Sequence, residues 1–190
     1  DTRNNRIQKF DADGVFVSQW GMRSLGDGEL SLPLDVAVAP DDSVYVVDTN
    51  NHRIQKFDAD GVFDNKWGTI GNGDGEFFNP WSVAVAPDGS VYVADTRNNR
   101  IQKFTSEGVF VTKWGAWGAG DGFFMFPPGV AAASDGSVYV VDSSNHRIQK
   151  FTSEGVFDGK WGTEGTGDGQ FRSPRGIAVA PDGSVYVADE

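Results

Sequence analysis

Short apolar runs of four to six residues, separated by polar turns, follow one another along the whole chain. The clearest stretch lies between Pro80 and Gly115. Val83-Ala-Val-Ala86 is apolar throughout, Pro87-Asp-Gly-Ser90 carries turn chemistry, and Val91-Tyr-Val-Ala94 is β-branched and aromatic. The polar loop Asp95-Thr-Arg-Asn-Asn99 leads to Arg100-Ile-Gln-Lys-Phe104, and the turn Thr105-Ser-Glu-Gly108 leads to Val109-Phe-Val-Thr-Lys-Trp114. Each run has the length and bounding residues of a β-strand, and none has helical spacing. Call the four strands a, b, c and d. Strands a and b are apolar on both faces, which predicts burial on both faces. All seven Lys (Lys9, Lys56, Lys66, Lys103, Lys113, Lys150, Lys160) fall on c and d. That placement predicts outer strands whose exposed edges the Lys side chains blunt.

This pattern repeats without insertion. Asp1-Thr-Arg-Asn-Asn-Arg-Ile-Gln-Lys-Phe10 returns at Asp48, Asp95 and Asp142, and its first Asp returns at Asp189, each time 47 residues on. A fixed period of that length marks stacked supersecondary units. Buried inner strands and charged outer ones predict an all-β propeller of four antiparallel blades, with repeats starting at 1, 48, 95 and 142. A solenoid fits less well, because its units are shorter or carry helices.

Particular residues within the unit also carry a resemblance. Asn51-His-Arg-Ile-Gln-Lys-Phe57 and Asn145-His-Arg-Ile-Gln-Lys-Phe151, with Val44-Tyr-Val-Val-Asp48, Lys66-Trp-Gly68 and Gly73-Asp-Gly75, resemble the NHL repeat over the entire chain. Ile54 and Ile148 stand where the motif has Leu, and Asn5 and Asn99 stand where it has His. The resemblance implies a propeller, usually of six blades, whereas this chain has four repeats. It implies single-stranded RNA binding on one face in some members. One branch, the peptidylamidoglycolate lyases, uses zinc-bound His.

Ring closure is then the open architectural question. The chain starts and ends in a b–c loop, so strands c and d of one blade lie at 1–20 and strands a and b at 176–189. These half-blades are expected to complete each other, two strands plus two. Pairing within the chain gives four blades; pairing between two chains gives a shared-blade homo-oligomer of eight. From about 60° per blade, eight blades at roughly 45° distort the inherited angle less than four at roughly 90°, which favours the dimer. Small residues on strand a (Ala37, Ala84, Ala131, Ala178) still suit a narrow four-bladed axis. The missing initiating Met and the near-identical units fit a trimmed or engineered array.

Composition narrows the function classes. At 38% hydrophobic and 23% charged residues, the chain is too apolar to be disordered. No apolar run approaches the ~20 residues of a membrane span, so no membrane partner is expected. With no Cys, there is neither a disulfide framework nor a thiolate metal site, and compartment is not indicated. A net charge of −11 works against generic polyanion binding.

A meander sends alternate connections to opposite ends of a blade. The a–b and c–d turns hold Asp and Glu and no basic residue, whereas all nine Arg fall at or beside the b–c and d–a loops. The turn face is nearly invariant between units and the loop face varies, so recognition is expected on the loop face. Four of the Arg have a structural reading: Asp1 with Arg6, Asp48 with Arg53, Asp95 with Arg100 and Asp142 with Arg147 form clamps across the b–c loop, and Asp189 repeats the acidic station. Arg3, Arg97, Arg172 and Arg175 remain as binding candidates, with Arg23. Trp20, Trp67, Trp114 and Trp161 recur and read as blade packing; Tyr45, Tyr92, Tyr139 and Tyr186 recur and read as core. Trp81, Trp117, Phe123, Met125 and Phe126 break the repeat and read either as a partner site or as drift around a Phe124 that packs like Phe77 and Phe171.

No catalytic constellation breaks the repeat. His52 and His146, the only two His, lie two units apart, too few for a zinc site of three or four ligands. Asp11-Ala-Asp-Gly14 and Asp58-Ala-Asp-Gly61 match the start of a calcium loop but lack its remaining ligands. The expectation is a non-catalytic interaction scaffold without metal or cofactor, taking a protein or peptide ligand. Single-stranded RNA or an anionic ligand on the Arg-bearing face is the alternative, disfavoured by the mixed charge there, and a lyase or hydrolase is a remote third.

Overall fold

The computed structural model describes residues 1–190. Sixteen strands follow one another in the order of the sequence pattern. The first two are β1 (Ile7–Phe10) and β2 (Phe16–Trp20). The second unit contains β3 (Pro33–Val38), β4 (Val44–Asp48), β5 (Arg53–Phe57) and β6 (Phe63–Trp67). The third has β7 (Ser82–Val85), β8 (Val91–Asp95), β9 (Arg100–Phe104) and β10 (Phe110–Trp114). The fourth has β11 (Val130–Ala132), β12 (Val138–Asp142), β13 (Arg147–Phe151) and β14 (Phe157–Trp161), and β15 (Pro174–Val179) and β16 (Val185–Asp189) end the chain.

Three four-stranded antiparallel blades form, β3–β6, β7–β10 and β11–β14, flanked by the two-stranded sheets β1–β2 and β15–β16. The register is the same in each complete blade: Val44 faces Phe57, Val46 faces Gln55 and Asp48 faces Arg53, with matching pairs one and two units on. β16 and β1 do not pair, so the four-bladed closure within one chain is not formed; the blades make an open propeller arc.

Its hydrophobic cores lie between blades. Tyr45, Val47 and Ile54 of one blade pack with Val91, Val93 and Phe104 of the next around Phe77, and the following pair of blades repeats this around Phe124. Burying such a Phe contributes about 1.5–3 kcal/mol, and most of that depends on the neighbouring unit. Trp20, Trp67 and Trp114 each cover a glycine of the next blade's c–d turn: a Cβ on Gly61, Gly108 or Gly155 would stand 2.5 Å from the indole. These glycines also have φ near +80°, so packing and turn geometry both require Gly.

Three expectations change. Strand c is not an exposed edge: β5 and β9 are buried along their length, Lys56 and Lys103 included. Their ammonium groups lie over the Tyr45 and Tyr92 rings and pair with Glu107 and Glu154 of the next blade. On strand d, Lys66, Lys113 and Lys160 stay at the surface, where they pair with Asp27, Asp74 and Asp121. Strand a is not buried on both faces either, since its inner side faces a central cavity of about 740 Å³. Tyr186 is not core: it is 64% exposed where Tyr45 and Tyr92 are 1% exposed, because β16 has no strand beyond it.

Candidate interaction face

Each b–c loop is a short 3-10 turn that ends on a left-handed residue, Asn5, His52, Asn99 or His146, at φ 53–54°. Asn tolerates that conformation better than most residues. The side chain then reaches the next loop: His52 Nδ1 accepts from the Asn79 amide (3.1 Å), and Asn5 and Asn99 Oδ1 accept from Leu32 and Phe126 (both 2.9 Å). His and Asn interchange here because each offers an acceptor at the same reach. Burial depresses the His52 pKa, which keeps Nδ1 free to accept.

The Asp–Arg pairs hold the loops beneath. Arg53 Nε donates to Asp48 (2.7 Å), while its other nitrogens donate to the carbonyls of Leu25, Gly26 and Glu29. Arg100 with Asp95 and Arg147 with Asp142 have the same 2.7 Å contact. Arg6 meets Asp1 at 2.8 Å with a third of its side chain exposed. Asp189 meets no Arg; its carboxylate instead takes the Arg172 and Ser173 amides. Sequence reasoning missed a third clamp member. Gln55, Gln102 and Gln149 are fully buried, donate to the clamp Asp, and accept from Gly28, Gly75 and Gly122 of the d–a loop. Their recurrence one residue before each clamped unit's Lys was the available signal.

This constant frame carries a variable station. An isolated bridge ties Arg23 to Leu30, Ile70 to Phe77, Trp117 to Phe124 and Glu164 to Phe171. Beside it, Asn51, Asn98 and Asn145 donate to the carbonyls of Ser24, Gly71 and Gly118. Small surface cavities open there: about 250 Å³ beside Arg23 and Ser31, and about 360 Å³ between Ile70 and Phe78. The corresponding pairs further along the arc are Trp117 with Met125 and Glu164 with Arg172. The frame stays the same while the lining changes from polar to apolar and back.

The candidates that break the repeat divide between two places. Trp117 (71% exposed) and Phe123 lie exposed on the d–a loop, with Met125 half-buried. Trp81 instead lines the central cavity, and Phe126 packs edge-on against it with ring centroids 4.8 Å apart. Phe126 holds φ 57°, a strained value for a bulky residue. Phe124 is fully buried like Phe77. Arg3, Arg97 and Arg172 are exposed, and Arg175 pairs with Glu190 at 3.0 Å. Asp35 lines the cavity beside Trp81 and was not singled out in the sequence, although Ser82, Gly129 and Gly176 are its counterparts. It accepts from the Ser82 hydroxyl (2.7 Å) and the Val83 amide (3.0 Å), and burial raises its pKa against these bonds. Nowhere in the chain do three His or acidic side chains converge in a metal-binding cluster.

Comparison with known proteins adds a family and a fold. The NHL repeat family matches at residues 30–57, 77–104, 124–151 and 171–190. No curated protein sequence matches. Among solved structures, the chain is similar to a catalytically inactive virginiamycin B lyase from Staphylococcus aureus with quinupristin, at 18% identity and TM-score 0.71, over 99% of this chain and 57% of that one. A streptogramin B lyase is similar at 18% identity and TM-score 0.69, over 99% and 70%. A Kuenenia stuttgartiensis hydrazine synthase is similar at 16% identity and TM-score 0.63, over 87% and 48%. The chain thus spans about half the length of two of these structures.

Proposed function

We propose that this chain, which belongs to the NHL-repeat family, is a non-catalytic interaction scaffold whose loop face takes an extended protein segment, one side chain per blade. The observation that carries it is the station that recurs with a changing lining. Arg23 with Ser31 offers a polar contact, Ile70 with Phe78 and Trp117 with Met125 offer apolar ones, and Glu164 with Arg172 offers charge. Residues that differ on an otherwise constant frame suit sequence-selective binding, and Trp is a common anchor at binding surfaces. A linear-peptide display library tests this. Selected peptides should carry two apolar residues, and Trp117→Ala or Phe78→Ala should weaken them at least tenfold, about 1.4 kcal/mol. Binders indifferent to both substitutions would overturn the reading.

The exposed Arg3, Arg97 and Arg172 favour a second reading, a single-stranded nucleic acid or anionic ligand on the same face. That ligand would bind with steep salt dependence, and Arg97→Ala with Arg175→Ala would reduce the slope. The mixed charge of the loops and the overall −11 weigh against it. The likeness to lyases is a likeness of fold at 18% identity, and we do not extend their chemistry to this chain.

A further inference from the structure

One carboxylate stands on the wall of the central cavity without a cation to balance it. Asp48, Asp95 and Asp142, the fully buried carboxylates of the chain, each hold an Arg. Asp35 is the only acidic residue lining the cavity, and its surroundings supply hydrogen bonds but no Lys or Arg. Arg175, the only basic residue on the wall, lies on β15 and pairs with Glu190. Most of the remaining wall is apolar, with Leu34, Val36, Val83, Val130 and Ile177 on it. We infer that the cavity takes an organic ammonium ion with an apolar body, its nitrogen on Asp35 and its body against Trp81. The site is separate from the loop-face stations, and the inference does not rest on peptide binding there.

The carboxylate is already positioned for such a partner. Asp35 Oδ2 accepts from the Ser82 hydroxyl (2.7 Å) and the Val83 amide (3.0 Å), and Oδ1 accepts from the Val36 amide (2.9 Å). The Val130 amide donates to Ser82 Oγ (3.2 Å), which turns the hydroxyl proton toward Asp35. A carboxylate offers about four acceptor sites, so these three bonds fix its orientation and leave a place for a further donor. Trp81 directly precedes Ser82 on the same wall, and Phe126 braces its ring edge-on at 4.8 Å. An indole face attracts a cation, and more strongly where water is displaced.

Other ligand classes fit the wall less well. A calcium ion takes about six to eight oxygen ligands, whereas Asp35 and Ser82 carry the only side-chain oxygens there. An anion would meet Asp35 with like charge, and a neutral apolar ligand would cover the carboxylate without pairing it. The volume of about 740 Å³ lies within the roughly 300–1,000 Å³ of small-molecule sites.

The frame itself does not require these residues. Ser82, Gly129 and Gly176 stand at the station of Asp35; Leu34, Pro128 and Arg175 at that of Trp81; Leu32, Asn79 and Ser173 at that of Phe126. Units that are nearly identical elsewhere thus diverge at adjoining places on one wall. Asp35, Trp81 with Ser82, and Phe126 belong to three successive blades inside the chain. A further repeat at either end would stand beside β3 or β15 and not among them.

Isothermal titration calorimetry of the chain with benzylamine, phenethylamine and cyclohexylamine tests the proposal, with phenethyl alcohol and hydrocinnamate as neutral and anionic counterparts. At least one amine should bind saturably, roughly tenfold or more tighter than the alcohol. Asp35→Asn keeps the shape and removes the charge; it should weaken the amine roughly tenfold or more and leave the alcohol unchanged. Asp35→Ser, which installs the residue found at Ser82, should show the same loss with an unchanged circular dichroism spectrum. Trp81→Leu, which installs the residue found at Leu34, should weaken amine and alcohol alike. The proposal is overturned if no amine binds saturably, or if the alcohol or hydrocinnamate binds as tightly as the amine. Amine affinity that survives both Asp35 variants overturns it as well. Peptide binding on the loop face is read with Trp117→Ala, so either proposal can fail alone.

Discussion

Arg53 and Arg6 occupy the same station of the same motif and differ only in what surrounds them. Arg53 is 8% exposed, holding one carboxylate and three carbonyls, whereas Arg6 is 33% exposed and holds Asp1 and Gln19. Complete blades and half-blades differ in this way throughout. Tyr92 against Tyr186 and Phe104 against Phe10 are pairs of like residues, buried in the complete blade and exposed in the half-blade. Burial in this protein belongs to the junction between units and to the strand next door, and the 47-residue repeat is not a self-sufficient unit of stability.

The largest effect that would sharpen the comparison is loss of the clamp carboxylate. Asp95→Ala strands a buried guanidinium and should cost about 3–5 kcal/mol in urea denaturation. Asp1→Ala, at the exposed clamp, should cost about 0–1 kcal/mol. Equal costs would erase the distinction between the regions. The next effect is steric: Gly108→Ala drives a Cβ toward Trp67 at a φ of +75°, and overpacking of this kind costs about 1–3 kcal/mol. The same substitution at Gly75, where nothing lies within 4 Å, should show only the backbone part of that cost.

Smaller effects concern pH. His52 has its pKa depressed by burial, so its contribution to stability is present above the unfolded value near 6.5 and is lost as the pH falls. His52→Asn, which installs the residue found at Asn5 and Asn99, should flatten that acid limb and leave neutral stability within about 0.5 kcal/mol. Asp35 is shifted the other way. Its raised pKa makes its contribution complete below about 3.8 and lost as the pH rises through the folded value, and Asp35→Asn should remove that decline. Thermal unfolding across pH reads both.

Much of the fold was legible because the repeat states it four times. The strand order, the turn chemistry and the Asp-to-Arg spacing of five residues all follow from Asp48-Thr-Asn-Asn-His-Arg53 and its copies. Less legible was anything set by a neighbouring blade. Lys56 reads as an edge residue until Glu107 of the next unit is placed beside it, and Tyr186 reads as core until its missing strand is noticed. The Gln55 clamp was hidden by its plain polarity, and Asp35 by a strand otherwise read as apolar. In the candidate site, Trp81 and Trp117 read as one cluster along the chain, yet one faces the central cavity and the other stands exposed on the d–a loop.

The central claim is that burial in this protein belongs to the junction between units and to the strand next door. Amide hydrogen exchange read strand by strand tests it directly. The account predicts the slowest exchange in β8 and β12, which are buried along their length, and faster exchange in β16, the same strand of the motif without a neighbour beyond it. Equal protection of β8, β12 and β16 would contradict it.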